Sequence, residues 1–214
     1  MEGLADRRQI VKVDAGDNLK AGLKKAKKVL ISGGIVAFPT ESFYGLAVNA
    51  MNEEAIQRLF VIKKRRSDRP LLILIPSPEV LNQYVNHIPE IGYKLIKQFW
   101  PGGLTLLFEA GPNIPPLLTA HTGKIGIRMS SHPIATALSQ SIGLPITGTS
   151  ANISGEQASM KAEDVSGSLG NGVDLILDGG DTAGGKGSTI LDVTVNPPKI
   201  LREGMIRHEK LLTG

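Results

Sequence analysis

Apolar side chains recur along this chain with two periods, and the switches between them outline its elements. Leu19, Leu23, Ala26 and Leu30 are spaced as one helix face, with Asp17 placed to cap it and Gly33-Gly34 to stop it. Lys20, Lys24, Lys25, Lys27 and Lys28 fill the remainder and predict a solvated face. The run Ile35-Val36-Ala37-Phe38 then predicts a buried strand. Asn52 with Glu53-Glu54 opens a second helix carrying Ile56, Leu59 and Phe60, and Leu71–Ile75 predicts the next strand. Further helices are expected from Ser77-Pro78-Glu79, from Pro89 to about Phe99, and from His132-Pro133 to Gly143. Strands are expected at Leu104–Glu109, Ile125–Met129, Ile146–Thr149, Asp174–Asp178 and Thr189–Val195, with a short run at Ile200–Leu201.

Helices and strands alternate early and strands dominate later. That order predicts an α/β (α+β) domain on a mixed parallel and antiparallel sheet. At 214 residues, with no repeat or linker, the chain predicts one domain over 1–214 with its core at about 10–207.

Composition narrows the chemistry. The absence of cysteine excludes disulfides, thiolate metal sites and cysteine nucleophiles. The four histidines, His87, His121, His132 and His208, lack metal-ligand spacing, so no metal site is expected. Met1–Arg8 has no signal-peptide core, and no apolar run approaches a membrane span, so the expected compartment is the cytoplasm. A net charge of +4 favours anionic partners. The 25 glycines predict tight turns and close backbone approaches to a ligand.

Lys63, Lys64, Arg65, Arg66 and Arg69 form a basic cluster at a helix-to-strand junction. Such a cluster attracts a polyanion, a triphosphate or an RNA backbone, although basic residues also end helices simply to suit the dipole. Gly180–Gly187 imitates a phosphate loop, but Gly187 stands where Ser or Thr is required, and Ser188-Thr189 leads into a strand. A glycine-rich hairpin, either holding Ser188 near a ligand or simply lying on the surface, fits better. Gly148–Gly155 offers short polar side chains after a strand, as a ligand loop or as a plain turn. Arg128 ends an apolar strand and calls for a carboxylate partner, from protein or substrate. In Pro39–Leu46, Thr40 and Ser42 point the same way if the backbone is extended. Glu41 is the general-base candidate there, with a structural or exposed glutamate as the plainer reading.

In order and spacing these segments resemble the YrdC-like threonylcarbamoyl-AMP synthase family. The matching pieces are Pro39–Leu46, Lys63-Lys64-Arg65 with Pro70-Leu71, Trp100–Thr105, Ile127-Arg128-Met129 with His132-Pro133, Ser150–Gly155, Ala162–Val165, Asp178–Gly180, Ser188–Ile190 and Leu201–Gly204. The resemblance implies a twisted mixed sheet with a concave basic cavity. It implies a nucleotidyltransferase that joins L-threonine, bicarbonate and ATP into threonylcarbamoyl-AMP and releases pyrophosphate, with Mg2+ carried on the triphosphate. Downstream transferase proteins would place the group on adenosine 37 of tRNA, and tRNA contact with this chain is a possible corollary. Lys63, Arg65, Ser150 and Asn152 would be catalytic and bind ATP together with Arg202. Thr40, Arg128 and Ser188 would hold threonine. No base for the threonine ammonium is assigned.

Several positions depart from the family pattern: Gly103 after Trp100-Pro101-Gly102, Leu74 where some members carry histidine, Gln157-Ala158-Ser159-Met160, Gly187 before Ser188, and Glu203 after Arg202. The end near Thr213-Gly214 suggests a short, single-domain form. The alternative is an RNA- or tRNA-binding protein of the same fold without synthase activity, although an aromatic share of 4% offers little base stacking. A carbamoyl-transfer domain like that of hydrogenase-maturation proteins would need a much longer chain.

Overall fold

In the computed structural model residues 9–14 and 16–211 are described. The expectations for Met1–Arg8 and for Thr213-Gly214 lie outside the described residues. The helix signals act largely as the sequence suggests. Helix α1 (Asp17–Ile31) differs at its start, where Gly16 and not Asp17 holds the capping position. Helix α2 (Glu53–Ile62) is capped by Asn52, whose Oδ1 accepts from the Ala55 amide at 3.0 Å. Helix α3 spans Glu90–Phe99. Helix α4 (Pro133–Ile142) starts on its proline, with His132 Nδ1 accepting from the Ile134 amide, and ends at left-handed Gly143. Pro78–Gln83, six residues long, is a 3₁₀ helix. Helices α5 (Ala162–Leu169) and α6 (His208–Leu211) were not anticipated.

The strands are β1 (Gln9–Lys12), β2 (Val36–Pro39), β3 (Tyr44–Ala47), β4 (Leu72–Leu74), β5 (Leu104–Glu109), β6 (Lys124–Arg128), β7 (Ile146–Ser150), β8 (Leu175–Asp178), β9 (Thr189–Asp192) and β10 (Lys199–Arg202). They form one mixed sheet in the order β1-β8-β2-β3-β7-β4-β6-β5-β9-β10. Parallel pairs (β1·β8, β2·β8, β4·β6, β5·β9) stand beside antiparallel ones, as expected. Strands β1 and β3 were missed by the sequence pattern. Tyr44–Ala47 lies inside a segment read as a loop, yet pairs with both β2 and β7. The Asp178–Thr189 segment is not a hairpin, since β8 pairs with β1 and β2 whereas β9 pairs with β5 and β10.

Side-chain alternation splits the core. Val36 and Phe38 of β2 point to the face covered by α1 and α4, joining Leu30, Leu138, Ile142, Ile146 and Leu177. Ile35 and Ala37 point the other way, into the larger cluster with Ile56, Leu59 and Val165. Burial this complete explains the continuous apolar run: Val36, Ala37 and Phe38 are each fully buried. The α1/α4 cluster includes no residue of β5, β6, β9 or β10. On that face these strands carry the concavity instead.

Candidate functional site

Alternation along the uncovered strands determines what the concavity presents. One face of β6 carries Lys124, Gly126 and Arg128; β5 contributes Thr105 and Leu107, β4 Leu72 and Leu74, and β9 Ile190 and Asp192. These residues line a cavity of about 640 Å³. Its depth comes from glycine. A Cβ added at Gly148 would come within 2.6 Å of Leu72 Cδ1, and one at Gly126 within 3.2 Å of Thr105 Cγ2, so both strands stay bare where a ligand approaches the backbone.

Four cations line the cavity, Arg65, Lys124, Arg128 and Arg202, against one carboxylate, Asp192. Lys124 Nζ lies 2.8 Å from Asp192 Oδ2, so that carboxylate is already engaged. Arg202 donates to the Ser188 carbonyl at 2.8 Å and 3.2 Å and to Ser188 Oγ at 3.2 Å. Arg65 donates to the carbonyls of Arg69 and Pro70. Burial, then the charges of Arg69 and Arg202, lower the Arg65 pKa, and burial with the Arg128 charge lowers that of Arg202. Cations that repel one another in a partly desolvated bowl favour an incoming anion.

Arg128 is buried, and its carboxylate partner is the protein's own Glu41. Its Nη1 lies 2.8 Å from Glu41 Oε1, while its Nε is buried with no protein acceptor. Glu41 also accepts from Ser130 Oγ at 2.8 Å and from the Ser131 amide at 3.1 Å. Burial alone would raise the Glu41 pKa, but the Arg128 charge and these hydrogen bonds hold it below the ordinary value. Glu41 is thus the structural glutamate of the plainer reading, fully ionised and poor as a base.

Thr40 and Ser42 both line the cavity, as an extended backbone predicts. The Thr40 hydroxyl donates to the Phe43 carbonyl at 2.6 Å and accepts from the Ser42 amide at 3.4 Å. Ser188 is buried, with Oγ 2.8 Å from Thr105 Oγ1. Ser150 lines the cavity, together with Leu74, Ala158 and Gly187 of the positions that depart from the family pattern.

Lys63 and Asn152 stand behind the wall and do not line it. Lys63 is 1% exposed. Its Nζ donates to the carbonyls of Ser150 at 2.5 Å and Asn152 at 2.7 Å, and its own carbonyl accepts from the Ser154 amide. The Asn152 amide nitrogen donates to the carbonyls of Ile153 and Glu156, and its Oδ1 is buried without a partner. The pair clasps the loop after β7 from within. Burial first, and the Arg65 charge second, bring the Lys63 pKa down to about 7. The basic run is therefore not one patch, since Arg66 pairs with Asp68 at the surface and only Arg65 reaches the cavity.

Sequence reasoning missed Lys124, Asp192, Thr105 and Tyr44. Lys124 was accessible, because it lies four residues from Arg128 on one strand and therefore shares its face. Tyr44 was hidden by the loop assignment. Its hydroxyl donates to the Gly180 carbonyl at 2.8 Å, and burial together with Asp178 raises its pKa, so the phenol stays protonated and anchors the glycine-rich crossover. That crossover also rests on the turn after β2, with the Gly184 amide donating to the Ser42 carbonyl at 2.6 Å.

A family model described as "Telomere recombination" matches residues 28–204. The chain belongs to the Sua5/YciO/YrdC family. A relative named threonylcarbamoyl-AMP synthase in Bacillus subtilis is 39% identical over 203 residues, covering 93% of this chain and 59% of that protein. The solved structure of Pyrococcus abyssi Sua5 complexed with L-threonine superimposes with a TM-score of 0.90 at 36% identity, over 96% of this chain and 61% of that one. Escherichia coli YciO superimposes with a TM-score of 0.84 at 26% identity, covering 96% and 98%. The chain thus spans about three fifths of the length of the first two. Among the described residues, no Sua5/YciO/YrdC helix here is long and apolar enough to cross a membrane, and no group of acidic or histidine side chains could hold a metal ion.

Proposed function

We propose that this chain synthesises L-threonylcarbamoyl-AMP from L-threonine, bicarbonate and ATP, releasing pyrophosphate, for threonylcarbamoylation of adenosine 37 in tRNA. One observation carries the reading: Arg65, Arg128 and Arg202 line a cavity whose one carboxylate is already tied to Lys124. The threonine nitrogen attacks the carbon of bicarbonate-derived carbon dioxide and loses a proton, giving a carbamate. A carbamate oxygen then attacks the α-phosphorus, and pyrophosphate leaves with the electrons of the broken P–O bond. Two anions meet, so neutralisation and alignment do the work that a protein nucleophile does elsewhere.

In this reading Arg65 and Arg202 face the phosphates, with forks suited to their oxygens. Arg128, braced by Glu41, takes the threonine carboxylate, and Thr40 and Ser188 take the rest of that substrate. Ser150 offers its hydroxyl to the phosphates. Lys63 and Asn152 act by fixing the Ser150 loop. Mg2+ arrives on the triphosphate as part of the substrate, because Asp192 is already engaged. The relatives' name and the threonine complex of the P. abyssi protein support this assignment.

The test is pyrophosphate release from ATP with threonine and bicarbonate omitted in turn and serine offered in place of threonine. Release that needs both co-substrates, with a threonylcarbamoyl adduct of AMP in the mass spectrum, is the expected result. No release, with salt-dependent tRNA binding in its place, would move the assignment to an RNA-binding protein.

A further inference from the structure

The mechanism leaves the lysines of α1 unused. This helix holds five lysines against Asp17, a surplus equal to the +4 of the whole chain, so acidic and basic residues balance over everything outside it. Lys20, Lys24, Lys27 and Lys28 fall within one stripe of about 100°, opposite the side on which Ala26 and Leu30 are buried, and Lys25 flanks them. All five are exposed, and among the described residues none is in an ion pair. Elsewhere on the surface Arg58, Arg66, Lys94 and Lys161 each have a carboxylate.

A face that only has to meet water is ordinarily laced with both signs, because unlike neighbours support a helix. This one sets like charges four residues apart, Lys20 with Lys24 and Lys24 with Lys28, which destabilises it. Lys20 also stands on the first turn, where the helix dipole disfavours a cation. A bound polyanion would offset that repulsion. Lys20, Lys24 and Lys28 rise at intervals of about 6 Å. They make a row of point charges without the planar fork that reads bases, which suits a phosphate backbone. A lipid surface fits less well, since the apolar side of α1 is packed into the core and leaves Ile31 as its exposed large apolar side chain.

Helices α1 and α4 cover the sheet face on which the bowl opens, so the stripe looks outward on the bowl's side of the molecule. We infer that the lysine stripe of α1 is an RNA-binding surface, which holds the phosphate backbone of a structured RNA outside the bowl and without reading its sequence. It goes beyond the synthase reading, whose chemistry needs no RNA on this chain.

Fluorescence anisotropy of a labelled tRNA transcript, titrated with the whole chain over a range of salt concentrations, tests it against the variant K20Q/K24Q/K27Q/K28Q. Glutamine keeps the helix propensity and removes the repulsion, so the variant should melt no lower than the unaltered chain. Its tRNA affinity at about 0.1 M salt should fall about 100-fold, and the slope of log affinity on log salt should lessen by about 3, with pyrophosphate release unchanged. Saturating ATP at constant ionic strength should leave the tRNA affinity of the unaltered chain as it was. An unaltered chain that fails to bind tRNA at low salt, a variant that binds as well as its parent, or tRNA displaced by ATP would each overturn the inference. Binding to phosphatidylserine vesicles without binding to tRNA would overturn it in favour of a membrane surface. Stripe-dependent tRNA binding in a chain that makes no threonylcarbamoyl adduct would sink the synthase reading and leave this one standing.

Discussion

One face of the sheet is put to two uses. Under α1 and α4 it carries the buried apolar side chains Phe38, Ile146 and Leu177. A few strands further along, the same face carries Gly148, Gly126 and Arg128, with cations where methyl groups would otherwise pack. Backbone geometry is common to both halves, so the difference lies in which side chains alternate onto it. The covered half gains stability from burial, and the uncovered half gives up burial for a bowl that an anion can fill.

The largest effects should separate the halves outright. Gly148→Val extends packing into the bowl, and its Cβ would crowd Leu72 and Leu74. Synthase activity should fall on the order of 100-fold by displacing substrate, with a stability loss of about 2 kcal/mol from overpacking. Leu138→Ala, in the covered half, should do the reverse. Denaturant titration should show a loss of about 3 kcal/mol, while pyrophosphate release per folded molecule stays unchanged. A Leu138 variant that keeps its stability, or a Gly148 variant that keeps its rate, would break the distinction.

Next in size is a contrast inside the basic run. Lys63→Met leaves two carbonyls without their donor, the Asn152 one buried, and should cost about 2 kcal/mol, with activity lost as the Ser150 loop loosens. Arg65→Met should lose activity at least about tenfold while stability moves by no more than about 0.5 kcal/mol. Thermal melts and initial rates on the two variants decide it. Burial of Lys63, which membership of a basic run does not reveal, is what separates the two.

What could be read from residues follows the same division. Wherever a period and a cap coincide, as at Asn52 with Ile56 and Leu59 or at His132-Pro133, the element was found, because local physics and tertiary packing agree there. Tyr44–Ala47 was missed since Pro39–Phe43 looks like a turn and only pairing on both sides makes the next four residues a strand. The cavity residues were found mostly through short motifs. Their division of labour was invisible, because whether Lys63 faces ligand or clasps a loop depends on contacts 87 and 89 residues away.

A smaller effect tests how the bowl is braced. Glu41→Gln keeps an acceptor near Arg128 but removes the charge that steadies its guanidinium. The Michaelis constant for threonine should rise about tenfold with kcat within about threefold. An unchanged constant would mean that Arg128 holds its pose on packing alone.

The smallest expected effect is a pH dependence that belongs to the clasp and not to the bowl. Lys63 has an ordinary pKa of 10.5 in the unfolded chain and about 7 in the folded one. Between those values the unfolded state binds more protons, so stability rises with pH across that window. Below pH 7 both states are protonated and the penalty of burying the ammonium is present in full. From pH 7 to pH 8 the gain should be about 1 kcal/mol, and it should vanish in Lys63→Met. A wild-type profile that is flat, or one whose slope survives the substitution, would show that the two carbonyls keep Lys63 charged. The clasp would then be a charge-assisted pair of hydrogen bonds, and the cavity above it would carry one more positive charge near neutral pH than the depressed pKa implies.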